Sequence, residues 1–104
     1  MHNAAVDTTK IPREHLEPWF AQTLASHNGA NLKFRVMRGT TADFHVHPDS
    51  PECFFVLSGT VHIDTDSGSV ALSAGQFFEV PAGLQHRSRV DGEATVLVFD
   101  GLAP

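Results

Sequence analysis

No tyrosine occurs anywhere in the 104 residues, so no phenol is available as a general acid or base. Cysteine occurs once, at Cys53, which excludes an internal disulfide and fits a reducing, cytoplasmic setting. Lysine and arginine total 7 against 12 acidic residues and form no cluster. The net charge of −5, with histidines neutral, argues against nucleic acid or an anionic membrane as a partner. No apolar run is long enough to span a bilayer. Residues 1–10 lack an apolar signal segment, so secretion is not expected. There is no internal repeat, low-complexity tract or linker, and the length suits one domain, 1–104.

What the chain does have is histidine, seven in all, in a background that is 41% hydrophobic and ordinary for a globular protein. Residues 1–30 read as an N-terminal arm. Pro12 and Pro18 each suit the first turn of a helix and oppose its middle. We expect a turn over 12–17 and a short helix over 18–26, with Trp19, Phe20, Thr23 and Leu24 on one apolar face and Asn28-Gly29 as its stop. From Asn31 the pattern changes. Leu32, Phe34 and Val36 alternate with Lys33 and Arg35, as in a half-buried strand. Further strands are expected over 44–47, 52–57, 60–65, 69–72, 76–80, 85–90 and 94–99, with turns at Ser58-Gly59 and Asp66-Ser67-Gly68. Short strands punctuated this often make an all-β sandwich or barrel over 31–104.

The chemistry is concentrated at four positions. His45 and His47 stand two apart, so on a strand both imidazoles face one way. Pro48-Asp49-Ser50-Pro51 is a turn that can return Glu52 to the same face. His86 follows the Pro81-Ala82-Gly83 turn and opens a later strand. Three imidazoles and a carboxylate suit one divalent metal among Mn, Fe, Co, Ni, Cu and Zn. Octahedral coordination would leave positions open for water, substrate or dioxygen.

These residues sit in a larger pattern. Gly39, five residues, His45-x-His47, four residues, Glu52, six residues and Gly59 resembles the first motif of the cupin superfamily at every fixed position. Gly75, five residues, Pro81-x-Gly83, two residues and His86 resembles the second motif, whose final Asn is here Val90. That Asn is not a metal ligand in the family. The resemblance covers about residues 31–100 and implies a double-stranded β-helix, or jelly-roll barrel, with the short helical arm outside it. It also implies metal ligation by His45, His47, Glu52 and His86, and a homodimer, for which the Trp19/Phe20/Leu24 face would supply apolar surface.

Other residues read as structural. His2, His15 and His27 belong to the arm and are expected to be solvated. His62, Arg87 and Arg89 are expected to face outward. Cys53 neighbours Glu52 and turns to the opposite face, as a packing or interface residue; Glu79 has no assigned role. By strand parity the cavity is expected to be apolar, lined by Phe34, Val36, Phe54 and Val56, with Phe44, Phe77 or Phe78, and Phe99 near it.

Two function classes follow. One is a metalloenzyme acting on a small organic molecule, with the dioxygenase, lyase and isomerase chemistry that the resemblance implies for three-His, one-Glu sites. Glu52 would serve there as a base as well as a ligand. The other is a non-catalytic accessory or small-ligand-binding cupin with a structural metal. The family's sugar epimerases use a His–Asp pair without metal, and its transcription factors carry a second, DNA-binding domain. Neither fits this chain.

Overall fold

The computed structural model describes residues 5–11 and 17–101. A single 3-10 turn, Thr8–Lys10, is capped by Asp7, whose carboxylate accepts from the Thr9 N–H at 3.0 Å. Among the described residues all other regular structure is antiparallel β: β1 Trp19–His27, β2 Ala30–Thr41, β3 Glu52–Ser58, β4 Thr60–Thr65, β5 Gly68–Ser73, β6 Phe77–Val80 and β7 His86–Gly101. The strands are ordered β1-β2-β7-β3-β6, with β4 joining β7 and β5 joining β4, and they curl into the all-β jelly-roll barrel that the motifs imply. Among the described residues no helix is long and apolar enough to cross a membrane.

The helix expected over 18–26 is not formed; that segment is strand β1, paired residue by residue with β2. Asn28 and Gly29 both have positive φ, 51° and 80°, and join His27 to its partner Ala30 as a two-residue hairpin. The dipeptide is therefore a hairpin turn, not a helix stop. The turn expected over 12–17 lies almost wholly outside the described residues. The strand expected over 44–47 reduces to a single bridge, in which His45 and His86 exchange backbone hydrogen bonds of 2.9 and 3.0 Å. Pro48, which follows directly, has no N–H to extend it. The strands expected over 85–90 and 94–99 are one strand, β7. It stays continuous because β2 runs beside nearly its whole length, with a register shift between Arg38 and Thr40. Gly39 sits in that shift at φ 47° and gives the bulge its left-handed residue.

Register sorts the inner face into rows, since directly paired residues point the same way. The top row is Asn31, Asp100, Glu52 and Val80. Below it lie Thr23, Lys33, Val98, Phe54 and Phe78, then Ala21, Arg35, Val96 and Val56, then Trp19, Met37 and Ala94. The core fills the lower rows with Met37, Phe54, Val56, Val96 and Val98, joined by Val61, Ile63, Leu72, Val80, Val90 and Ala94 from the rest of the barrel. Gly59 closes this region. At φ 76° a Cβ there would overlap the Glu93 carbonyl and crowd Ala94, so only glycine lets the β3–β4 turn lie against β7.

Candidate metal centre

Three backbone segments bring the four polar residues together. Glu52 is the first residue of β3, held between Asp100 of β7 and Val80 of β6. His86 is the first residue of β7, and its bridge to His45 ties the His45-Val46-His47 segment over the barrel mouth. Gly83 N–H donates to the His47 carbonyl at 2.9 Å, so the Pro81–Gly83 turn fixes the far end of that segment. One ligand atom from each of His45, His47, Glu52 and His86 lies within 4.8 Å of the others.

The tautomers follow from the backbone. His45 Nδ1 lies 2.9 Å from the Asp43 carbonyl, and His86 Nδ1 lies 2.9 Å from the Leu84 carbonyl. A carbonyl accepts only, so both Nδ1 atoms carry the hydrogen and both Nε2 atoms present lone pairs when the rings are neutral. Those lone pairs converge on Glu52 Oε1, which is 2.8 Å from His86 Nε2, 3.4 Å from His47 Nε2 and 3.8 Å from His45 Nε2. His47 Nε2 is buried and has no hydrogen-bond partner. Acceptor atoms facing one another at these distances call for a cation among them. The donor set, three nitrogens and one oxygen with ring orientation fixed from behind, could hold one divalent transition-metal ion.

Burial divides the four. The side chains of Glu52 and His86 are 8% and 1% exposed, those of His45 and His47 40% and 41%. The exposed pair, with Glu52 beside it, lines a cavity of about 990 Å³.

The wall of that cavity differs from the expected apolar set. Phe54 lines it, but on β2 the lining residues are Asn31, Lys33 and Arg35, while Phe34 and Val36 point to the other side of the strand. Val56 faces inward but lies beneath, fully buried in the core. Phe44 is 44% exposed and is covered by the Arg87 guanidinium, 4.5 Å from its ring centre. Phe99 is on the outer face with Leu32, Cys53, Phe55, Phe77 and Leu97, around a separate apolar groove. β2 has the opposite phase to that expected because its apolar residues are buried on the outer side, both Phe34 and Val36 at 0% exposure. Trp19 and Asp100 also line the cavity and had no assigned role. An Asn-Gly hairpin, which makes Trp19 and Arg35 neighbours on one sheet face, was the signal that would have found them.

The remaining polar residues lie off the site. Arg87 and Arg89 both bind Asp64, at 2.9 to 3.1 Å, and Ser69 donates to it at 2.6 Å. Arg89, then Ser69 and Arg87, hold the Asp64 carboxyl well below the usual carboxylate range. His62 lies 3.9 Å from Asp91. The Cys53 thiol lies 3.9 Å from the Glu79 carboxylate. Burial, then that charge, raises its pKa, the opposite of what a nucleophilic thiolate needs.

Comparison with known proteins agrees with this architecture. YdbB of Bacillus subtilis (strain 168), an uncharacterized protein, is 44% identical over 48 residues, 45% of this chain and 42% of its own. Quercetin 2,3-dioxygenase of the same organism is 33% identical over 61 residues, 59% of this chain and 18% of its own. The chain thus spans less than half the length of either relative. A cupin-2 domain containing protein from Shewanella frigidimarina NCIMB 400 superposes with a TM-score of 0.77 at 24% identity, over 83% of each chain, and so shares the fold. The Cupin domain family model matches residues 32–100, from the β2 strand that floors the cavity to the end of β7, and the chain belongs to that family.

Proposed function

We propose that this chain is a metal-dependent enzyme that transforms a small organic molecule at the His45, His47, Glu52 and His86 centre. The observation that carries the reading is the one-sided burial of the four. His86 closes the back of the centre and Glu52 is largely buried, while His45, His47 and an edge of Glu52 line the 990 Å³ cavity. A structural site would shield all four ligands; this one leaves its front face toward a space that fits a small ligand. A metal ion held there would supply Lewis acidity and, if redox-active, a route to dioxygen chemistry. The chain's own contributions are separate from that. The Asp43 and Leu84 carbonyls fix the imidazole rings. Phe54 keeps the floor beside Glu52 apolar, and Glu52, first of all a ligand, would double as the base for a substrate proton. The local similarity to a quercetin dioxygenase supports dioxygenase chemistry first, with lyase or isomerase chemistry at the same centre behind it.

The test is elemental analysis of the purified protein, then oxygen uptake and substrate depletion across enediols, flavonols, small acids and thiols. Glu52→Gln should keep the fold and alter turnover. His86→Ala should lose both metal and turnover. Protein that carries stoichiometric metal but turns over nothing in that panel is an accessory cupin, and the enzyme reading then fails.

A further inference from the structure

Arg35 is out of place in its row. Its lateral neighbours Ala21 and Val96, and Val56 beyond Val96, are all apolar, yet it is always charged. Its side chain lines the metal-site cavity, and its Nε is buried with no hydrogen-bond partner. Among the described residues no carboxylate pairs with it. Glu52 is committed to the three histidines, and Asp100 is 3.2 Å from Lys33. Leaving a guanidinium donor unpaired inside a barrel costs free energy that nothing among the described residues offsets. An anion entering the cavity would meet the guanidinium where Arg35 lines the wall and would supply the charge partner that it lacks.

We propose that Arg35 is the anchor for a carboxylate group of the molecule that occupies the cavity; the substrate class is then a small organic acid. This rests on the enzyme reading for the reaction, though not for the binding. Along β3 the Glu52 row and the Arg35 row are four residues apart, about 13 Å. The extended arginine side chain covers part of that, leaving room for a small molecule with its acid group on Arg35 and its other end at His45 and His47. A carboxylate fits better than a phosphate. The site has one unneutralised guanidinium, and Asp43, Asp49 and Asp100 line the same cavity. A single negative charge matches the one free fork, whereas a dianion seated on Arg35 would face those carboxylates with one guanidinium beside it.

Trp19 is the only tryptophan in the chain and lines this cavity, so its fluorescence reports occupancy. The purified protein, with its metal content measured on the same sample, is titrated with cyclohexanecarboxylate, its neutral carboxamide and inorganic phosphate. We expect saturable binding of the carboxylate, and roughly tenfold or more weaker binding of the carboxamide and of the carboxylate to Arg35→Gln. Arg35→Lys should recover part of the loss as a point charge. Arg35→Met should melt no lower than wild type, because the residue has no partner to lose. Absence of carboxylate binding, equal binding of the carboxamide, unchanged binding by Arg35→Gln, or tighter binding of phosphate would each overturn the assignment. A lower melting temperature for Arg35→Met would also overturn it, by showing a structural role. Arg35-dependent binding in protein without metal would leave the anchor standing while the metalloenzyme reading fails. Metal and turnover without Arg35 dependence would do the reverse.

Discussion

Removing metal should destabilise the protein, and the four ligands should divide in how they contribute. Metal that binds only the folded state at 100-fold above its dissociation constant adds about 2.7 kcal/mol. For a domain of this size that shifts the melting temperature by roughly 10–20 °C. The ligand positions then predict two different kinds of variant. His47 is 41% exposed and its Nε2 has no hydrogen-bond partner. In chelator, His47→Ala should therefore melt close to wild type, within about 0.5 kcal/mol, yet gain nothing when metal is added. His86 is 1% exposed, donates to the Leu84 carbonyl and faces Glu52 at 2.8 Å. His86→Ala leaves a void at a fully buried position and orphans the Leu84 carbonyl, so it should lose about 2–4 kcal/mol even in chelator. Thermal melts of wild type and both variants, in chelator and in excess Fe(II), Mn(II), Ni(II) or Zn(II), read all six states. The reasoning is refuted if wild type melts alike with and without each metal. It is also refuted if His47→Ala gains as much from metal as wild type does.

Asp64, buried between Arg87, Arg89 and Ser69, should be a pH-sensitive brace between β4 and β7. Its carboxyl is depressed, so its stabilisation is complete above the ordinary carboxylate pKa of about 4 and is lost as pH falls below that. Asp64→Asn should cost about 1–2 kcal/mol at neutral pH and flatten the melting curve between pH 5 and pH 2; an unchanged acid profile would remove Asp64 from that role. The outer face carries Phe55, Phe77 and Phe99 at 38%, 58% and 50% exposure, with Leu32 and Leu97 beside them, a better apolar surface for a homodimer than half-buried Trp19, Phe20 and Leu24. Light scattering should return about twice the 11.3 kDa chain mass, and Phe99→Asp should lower it; a wild-type monomer at micromolar concentration would rule the dimer out. That face also carries Cys53, which should alkylate slowly at neutral pH because burial and Glu79 raise its pKa; fast labelling would contradict the placement.

The metal centre was legible because its information is local. His45 and His47 need only to be two apart, and they converge even though their segment forms one bridge and no strand. Glu52 and His86 each begin a strand after a turn that contains proline, and turns are marked in sequence by their own residues. The arm was misread because nine residues are too few to separate the two periods. Trp19, Phe20, Thr23 and Leu24 suit one helix face, but the same segment serves as a two-sided strand with Trp19 inward. Asn28-Gly29 did not decide it, since glycine ends helices and Asn-Gly turns hairpins. Pairing with β2 decided it, and pairing is not a local property.

The cavity wall shows a deeper limit of the same kind. Alternation along β2 separates Phe34 and Val36 from Lys33 and Arg35, but it says nothing of which set faces the barrel interior. The apolar set is the natural choice for the interior only if the outer face meets water. Here Phe34 and Val36 are fully buried on the outer side, so β2 is covered on both faces and its polar set is free to face inward. The consequence is chemical. The lower inner rows hold Met37, Ala94, Val96 and Val56 and carry the core, while the top row holds Asn31, Asp100 and Glu52 and carries the site. Lys33 fits between them because Asp100 neutralises it. Among the described residues, half-buried Arg35 has no charge partner, and its Nε is buried beside the core valines without a hydrogen bond. A barrel selected only for stability would have filled that position with an aliphatic side chain, so the charge there is the feature most in need of a ligand to explain it.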